Sequence, residues 1–287
     1  MTEAEFLQAL RGLPLHAGAL GLADDAARLG DLVLTHDMIV EGVHFLSSDP
    51  PGDVAWKLVA VNLSDLAAKG AEPVGVLLGY PLHGDTWDRA FLTGLNEALT
   101  ASACPLLGGD TVSRGRTLSL TAIGRAAVSP TRAGARSGDT LWVTGTIGDA
   151  GAGLALAQGE DGAPELLARY RRPTPRLTEG RTLAPVVHAM MDVSDGLLID
   201  ANRMAQASGC AVEIDLARVP LHRLNPLEPI AAATAGDDYE LLFALPADVS
   251  PPVPATCVGR FVEGAGLTLT RAGRSLPLPD RLGFTHG

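Results

Sequence analysis

A chain of 287 residues, 46% of them hydrophobic, is long enough for one large domain or two of ordinary size and apolar enough to bury a sizeable core, which excludes a disordered protein. Its 22 Lys and Arg against 33 Asp and Glu give a formal charge of −11, which argues against a nucleic-acid partner, whose phosphates require a basic face. Three widely spaced cysteines (Cys104, Cys210, Cys257), no signal-peptide pattern and no apolar run of about 18 residues predict a cytoplasmic protein with reduced thiols and no membrane span.

In chain order, residues 3–12 predict a short amphipathic helix with Phe6, Leu7 and Leu10 on one face. After the Asp24-Asp25 turn, residues 31–35 predict a strand running into Asp37. A Pro/Ser/Asp loop over 47–53 precedes a buried helix in which Val54, Leu58, Leu66 and Ala67 recur at helical spacing. Gly70 sits where a left-handed C-cap belongs, and Pro73 forbids continuation. Residues 73–78 are too apolar and β-branched for a loop and predict a strand, 86–102 a helix, and 105–107 the entry to a Gly-Gly-Asp turn. Residues 117–123 alternate as a half-buried strand does.

Around 129–139 the composition shifts to Ser, Pro, Thr, Arg and Gly, read as a linker that divides the chain into 1–134 and 135–287. A strand over 140–144 then enters a glycine-rich turn, 145–153, that opens a helix. That turn lacks the Lys-Ser/Thr ending of a P-loop and the spacing of a dinucleotide fingerprint, so it reads as helix packing or as an anion cradle. The basic run 170–176 reads as a proline-stiffened loop, either solvated surface or an anion contact. A helix over 178–188, an acidic turn at Asp192, a helix over 196–208, strands over 212–216 and 239–244, and short strands beyond 253 complete the chain. Strands and helices mix in both halves without strict βαβ alternation, which predicts two α/β or α+β domains.

Asp65 stands out within this pattern, an acid in an apolar helix. A buried carboxylate is costly unless paired or bound to a metal. One such residue would be read as a cap. The placement recurs, however, at Asp25, Asp37, Asp110, Asp192, Asp195 and Asp237, each at the edge of an apolar run. Oxygen donors without thiolates or clustered imidazoles suit a hard cation such as magnesium rather than zinc. Acids from distant segments imply a multi-metal phosphate site, because an acidic protein needs divalent cations between its carboxylates and a polyphosphate. Trp56, Trp87 and Trp142 read as packing residues.

In order, the chain carries Asp24-Asp25-Ala26, Thr35-His-Asp37, Gly42-Val-His44-Phe45, Ala60-Val-Asn-Leu-Ser-Asp-Leu-Ala-Ala-Lys-Gly-Ala71, Gly108-Gly-Asp-Thr111, Val143-Thr-Gly-Thr-Ile-Gly-Asp149, Arg172-Pro173, Asp192-Val-Ser-Asp-Gly196 and Asp238-Tyr-Glu-Leu241. This succession, nearly the length of the chain, resembles the thiamine-monophosphate kinase family of the PurM-like ATP-binding superfamily. The resemblance implies a two-domain PurM-like α+β fold whose N-terminal sheet pairs across a homodimer. It also implies phosphoryl transfer from ATP to thiamine monophosphate with several magnesium ions. By position, Asp25, Thr35, Asp37, Asp65, Asp110, Asp192 and Asp195 would contact the metals. Gly109, Asp110, Arg132 and Ser194 would meet ATP, and His44, Asp237 and Phe284 the thiamine phosphate. No side-chain base is implied.

The chain departs from the family pattern at Ala23, where glycine is usual, and at Asp237, where glutamate is usual. It also lacks an aromatic around residues 101–104, which implies aliphatic contacts to adenine. Two alternatives remain at this level. One is another PurM-like ATP-using enzyme, although a selenophosphate synthetase would want a cysteine near the N-terminus and the first here is Cys104. The other is a non-catalytic nucleotide- or thiamine-phosphate-binding protein, distinguished by binding without turnover.

Overall fold

The computed structural model describes residues 1–285. In chain order its elements are α1 (Glu3–Leu10), β1 (Ala27–Leu29), β2 (Leu32–Val40), α2 (Pro51–Ala68), β3 (Glu72–Leu82), α3 (Asp85–Ala101), β4 (Leu106–Ser113), β5 (Thr117–Arg125), β6 (Thr140–Val143) and α4 (Asp149–Ala157). There follow α5 (Pro164–Arg171), α6 (Leu177–Leu183), β7 (Ala189–Asp192), α7 (Leu197–Ser208), β8 (Ala211–Asp215), α8 (Pro229–Thr234), β9 (Leu241–Leu245), β10 (Thr256–Val262), β11 (Gly266–Arg271) and β12 (Arg274–Leu276). They form a mixed α/β fold with one sheet in order β1-β2-β5-β3-β4 and another in order β12-β11-β8-β10-β6-β9-β7.

The helix α2 runs between the two. Pro51 at its start presets φ, and Asp53 in the first turn complements the exposed N–H groups. It ends at Lys69, followed by Gly70 at φ +61°. Buried residues surround nearly the whole of its last three turns, the signature of a helix enclosed on all sides. One flank packs with β2, β3, β5 and α3 around Val33, Leu58, Phe91 and Leu118. The C-terminal end, Ala67 and Ala68, joins Leu183, Met190, Leu241 and Phe243. A separate core under the second sheet centres on Leu141, Leu197, Ile214 and Phe261.

Several boundaries differ from the sequence expectation, for physical reasons. β2 continues to Val40, so Asp37 lies inside the strand; β5 pairs with it over its whole length and satisfies the backbone groups on that side. The Gly-Gly-Asp segment is part of β4 rather than a turn, pairing in parallel with β3. Gly109 is required there, since at φ +153° a Cβ would fall 1.9 Å from the Leu78 carbonyl oxygen. The basic run is helical through Arg171. α6 stops at Leu183, two residues before Pro185, where the missing N–H ends a helix. β1 and α8 carry too short a pattern to be read in advance.

Candidate active site

A cavity of about 1160 Å³ is walled by Asp25, Thr35, Asp37, Asp65, Asp192 and Asp195 among others. Five segments deliver these groups. Asp25 precedes β1, Thr35 and Asp37 lie two apart on one face of β2, Asp65 is in the last turn of α2, Asp192 ends β7, and Asp195 sits just before α7.

The α2 side chains organise the array. The Thr35 hydroxyl donates to Asp65, the Asp37 N–H donates to Asn62 Oδ1 at 3.0 Å, and the Ser64 hydroxyl donates to Asp192 Oδ2 at 2.5 Å. Burial, joined by the negative charges of Asp37, Asp192 and Asp25, pushes the Asp65 carboxyl well above the usual carboxylate range. Burial and the Asp25 charge push Asp192 to about 8 against the opposing Ser64 hydrogen bond. Burial, with Asp25 and Asp195, raises Asp37 despite the opposing His36. These acids crowd one another without a lysine or arginine ion pair among the described residues.

Asp25 behaves in the opposite way. Burial would raise it, but Lys69 and Arg132 hold it at about 2. Lys69 Nζ lies 2.5 Å from Asp24 Oδ1 and 2.7 Å from Asp25 Oδ2, and the Arg132 guanidinium meets Asp25 Oδ1. The Lys69 approach to Oδ2 is a close ion pair rather than a directed hydrogen bond: among the described residues, Asp25 Oδ2 and Arg132 Nε are the buried side-chain polar atoms without a hydrogen-bond partner.

The geometry permits a test of the magnesium expectation. No group of three or more histidine, cysteine or acidic side chains positioned to hold one ion occurs among the described residues. Magnesium is seldom held by an all-protein cage; it keeps waters and takes one or two carboxylates plus substrate phosphates. Mutually repelling carboxylates without a lysine or arginine ion pair, Asp37, Asp65 and Asp192, fit that cation, and the buried Arg132 Nε–H without a partner beside them fits its phosphate.

In the first turn of α7, Asp200 accepts the backbone N–H groups of Ser194, Asp195 and Gly196 on one oxygen at 3.0–3.2 Å. Burial raises Asp200 to about 6 even with Arg203 opposing. Arg203 bridges Asp200 at 2.8 Å and Asp195 at 2.5 Å, fixing the loop that carries Ser194 and Asp195 on the cavity wall.

His44, Asp237 and Phe284 line the same cavity. The Val40 N–H donates to His44 Nδ1 at 3.0 Å, and the Phe284 N–H donates to the Asp195 carbonyl at 2.9 Å. Asp237 adopts φ +68°, a conformation that Asp tolerates better than most residues. Buried Lys57 donates to Asp237 Oδ2 at 2.7 Å and to the His44 carbonyl at 2.8 Å, with its ammonium 4.2 Å from the Tyr170 ring centre. The Tyr239 hydroxyl donates to Asp237 Oδ1 at 2.9 Å.

The site thus gathers Asp25, Thr35, Asp37, Asp65, Asp192, Ser194, Asp195, Arg132, His44, Asp237 and Phe284, but not Gly109 or Asp110. Those two lie on exposed β4, three strand steps from β2. Ala23 has φ −118°, so no glycine is needed there. Two sequence alternatives resolve. The N–H groups of Gly148 and Ala150 at the start of α4 point at Asp238, at 2.6 and 3.3 Å, so an internal carboxylate fills that cradle. The basic run is neither free surface nor anion site, because Arg171 pairs with Asp49, Arg172 with Asp53 and Glu97, and Arg176 with Glu240. Sequence reasoning missed Lys57, Lys69, Asp200 and Arg203; the two lysines carried a signal, as charges at apolar positions of α2.

Residues 23–126 match the family described as AIR synthase related protein, N-terminal domain, and residues 136–268 its C-terminal domain. The thiamine-monophosphate kinase of Caulobacter vibrioides is 42% identical over 96% of this chain and 87% of its own length. That of Escherichia coli K12 is 36% identical over 93% and 91%. The solved structure of AaThiL complexed with AMPPCP and TMP superposes with a TM-score of 0.86 at 31% identity, covering 100% of this chain and 97% of that one. With that likeness running through both sheets and the cavity between them, the chain belongs to the thiamine-monophosphate kinase family.

Proposed function

We propose that this chain transfers the γ-phosphoryl group of ATP to thiamine monophosphate, giving thiamine diphosphate and ADP. The observation that carries this reading is the juxtaposition, in one cavity, of the coupled carboxylates Asp25, Asp37, Asp65 and Asp192 with the His44–Asp237 wall. The acceptor is itself an ionised phosphate, so no hydroxyl proton has to be removed. The obstacle is repulsion between two anions, and catalysis consists of positioning and charge neutralisation.

In this reading Asp25, Thr35, Asp37, Asp65, Asp192 and Asp195 hold magnesium ions. Magnesium held there would supply Lewis-acid neutralisation of the charge that develops on the transferred phosphoryl group. Arg132 and Ser194 orient the nucleotide phosphates, while Leu7, Leu22 and Leu154 offer aliphatic contact to adenine on the cavity wall. His44, Asp237 and Phe284 orient thiamine monophosphate, with Lys57 and Tyr239 fixing the Asp237 carboxylate. Residues 1–134 act as the N-terminal ATP/metal-binding and dimerisation domain and residues 135–287 as the C-terminal α+β domain, in the cytoplasm. The Asp110 and Gly109 roles require a homodimer in which β4 of one copy approaches the cavity of the other.

The test is turnover by purified protein with Mg-ATP and thiamine monophosphate, following thiamine diphosphate, with Asp65→Asn alongside. Magnesium-dependent product from the parent, lost by about a hundredfold or more in the variant, is expected for a metal-clamping carboxylate. Tight Mg-ATP binding without product would overturn the assignment of acceptor.

A further inference from the structure

Lys69 caps α2, four residues beyond Asp65, with only 1% of its surface exposed. Its ammonium donates to Asp24 Oδ1 at 2.5 Å and to the Met190 carbonyl at 3.3 Å, and forms an ion pair with Asp25 Oδ2 at 2.7 Å. The backbone behind it is equally fixed, since a Cβ on the next residue, Gly70, would fall 2.4 Å from the Ala184 side chain. Arg132 completes this end, its backbone N–H on Asp24 Oδ1 at 3.1 Å and its guanidinium on Asp25.

The acidic array is therefore unequal along its length. At one end two carboxylates, Asp24 and Asp25, meet two protein cations, Lys69 and Arg132, and the formal charges cancel. At the other end Asp37, Asp65 and Asp192 have hydroxyl and amide neighbours, Thr35, Asn62 and Ser64, but no lysine or arginine ion pair among the described residues.

We propose that Lys69 is a resident cation that takes the place of one divalent ion at the Asp24–Asp25 end of the array. It is a positioning residue: it holds the two carboxylates together, 2.5 Å from Asp24 Oδ1 and 2.7 Å from Asp25 Oδ2, and supplies there the positive charge that a divalent ion would otherwise bring. The number of divalent ions drawn in with the nucleotide is thereby set by a side chain of α2. This inference rests on the magnesium reading above.

The test counts Mn²⁺ ions bound to the folded, full-length protein by electron paramagnetic resonance, with a non-hydrolysable ATP analogue present. Lys69→Gln is expected to bind one more Mn²⁺ per chain than the parent, with the added ion binding about tenfold more tightly than any the parent takes at this end. Lys69→Arg keeps the charge and should match the parent. Asp24→Asn combined with Lys69→Gln restores charge balance and should also return to the parental count, an outcome that a merely structural lysine does not predict. If Lys69→Gln does not fold in the absence of metal, Mn²⁺ must restore its circular dichroism, and failure to do so overturns the proposal. Equal counts in the parent and Lys69→Gln overturn this proposal alone. No Mn²⁺ bound to the parent with the analogue overturns the magnesium reading as well.

Discussion

Each carboxylate in the cavity carries a different consequence for stability, because each is shifted by a different neighbour. Asp192, raised from 3.8 to about 8, binds a proton in the folded chain over a range where the unfolded chain has released it. Stability from this group is therefore full at low pH and lost as pH rises through that window. Asp200 has the same sign up to about 6, whereas Asp25, held at about 2, contributes stability that is lost only as pH falls below the ordinary carboxylate range. Metal-free protein should accordingly show a melting temperature that declines between pH 5 and 8, with Asp192→Asn flattening the decline; a rise across that range would contradict the raised values. Lys57 and Asp237 form an unequal pair, their side chains 2% and 28% exposed. Asp237→Asn leaves an ammonium buried without its counter-charge, which should cost about 3–5 kcal/mol in denaturant unfolding. Lys57→Met leaves a carboxylate that still reaches the cavity and should cost less, and the reverse order would refute the asymmetry. Asp65 was legible in the sequence because an acid interrupts an apolar helix; Lys57 and Lys69 interrupt the same helix. Asp200 was not, since beside Arg203 it is held by three backbone N–H groups, and no residue pattern marks those.

At the scale of elements, α2 does most of the positioning, and its neighbours approach it closely enough to exclude side chains. A Cβ at Gly94 of α3 would lie 2.1 Å from the Gly52 carbonyl oxygen, and one at Gly180 of α6 would lie 2.0 Å from the Ala67 carbonyl oxygen. Backbone cannot yield as a flexible side chain does, so Gly94→Ala and Gly180→Ala should each destabilise by about 1–3 kcal/mol in denaturant unfolding. Unchanged stability at Gly180 would mean that α6 is free to shift away from α2. The helical spacing of α2 and its Gly70 ending were readable from sequence because burial, cap and proline coincide there. The Gly108-Gly109 pair reads as a turn because paired glycines usually punctuate a chain; here Gly109 serves the close parallel approach of β4 to β3. The anion-cradle alternative at α4 failed for a related reason. Backbone donors can be counted from a glycine-rich turn, but Asp238, which satisfies them, lies some ninety residues away and only folding brings it there.

For the whole molecule, β4 is the feature that a single copy does not explain. It is exposed along all of Leu106–Ser113, with Leu106 49%, Leu107 53% and Val112 53% exposed, an edge strand of a kind that proteins normally shorten, charge or cover. The opposite side of the sheet has a gap as well: among the described residues, β1 pairs with Leu32–Leu34 alone and leaves the outer side of β2 beyond Leu34 without a strand partner. Asp37 and Asp110 cannot share an ion within one chain. Three strand steps separate β2 from β4, about 14 Å at the usual spacing, while two oxygens on one magnesium lie within about 4 Å. A two-fold dimer that sets β4 beside the partner's β2 covers the apolar strand and brings Asp110 to the partner's acid array. Complementation distinguishes the arrangements. Asp37→Asn and Asp110→Asn should each be inactive as pure proteins. Mixed and allowed to exchange subunits, they should recover about a quarter of parental activity, because half the dimers are mixed and each mixed dimer has one site with both acids intact. If Asp110 served its own chain, every site in the mixture would lack one carboxylate and no activity would return.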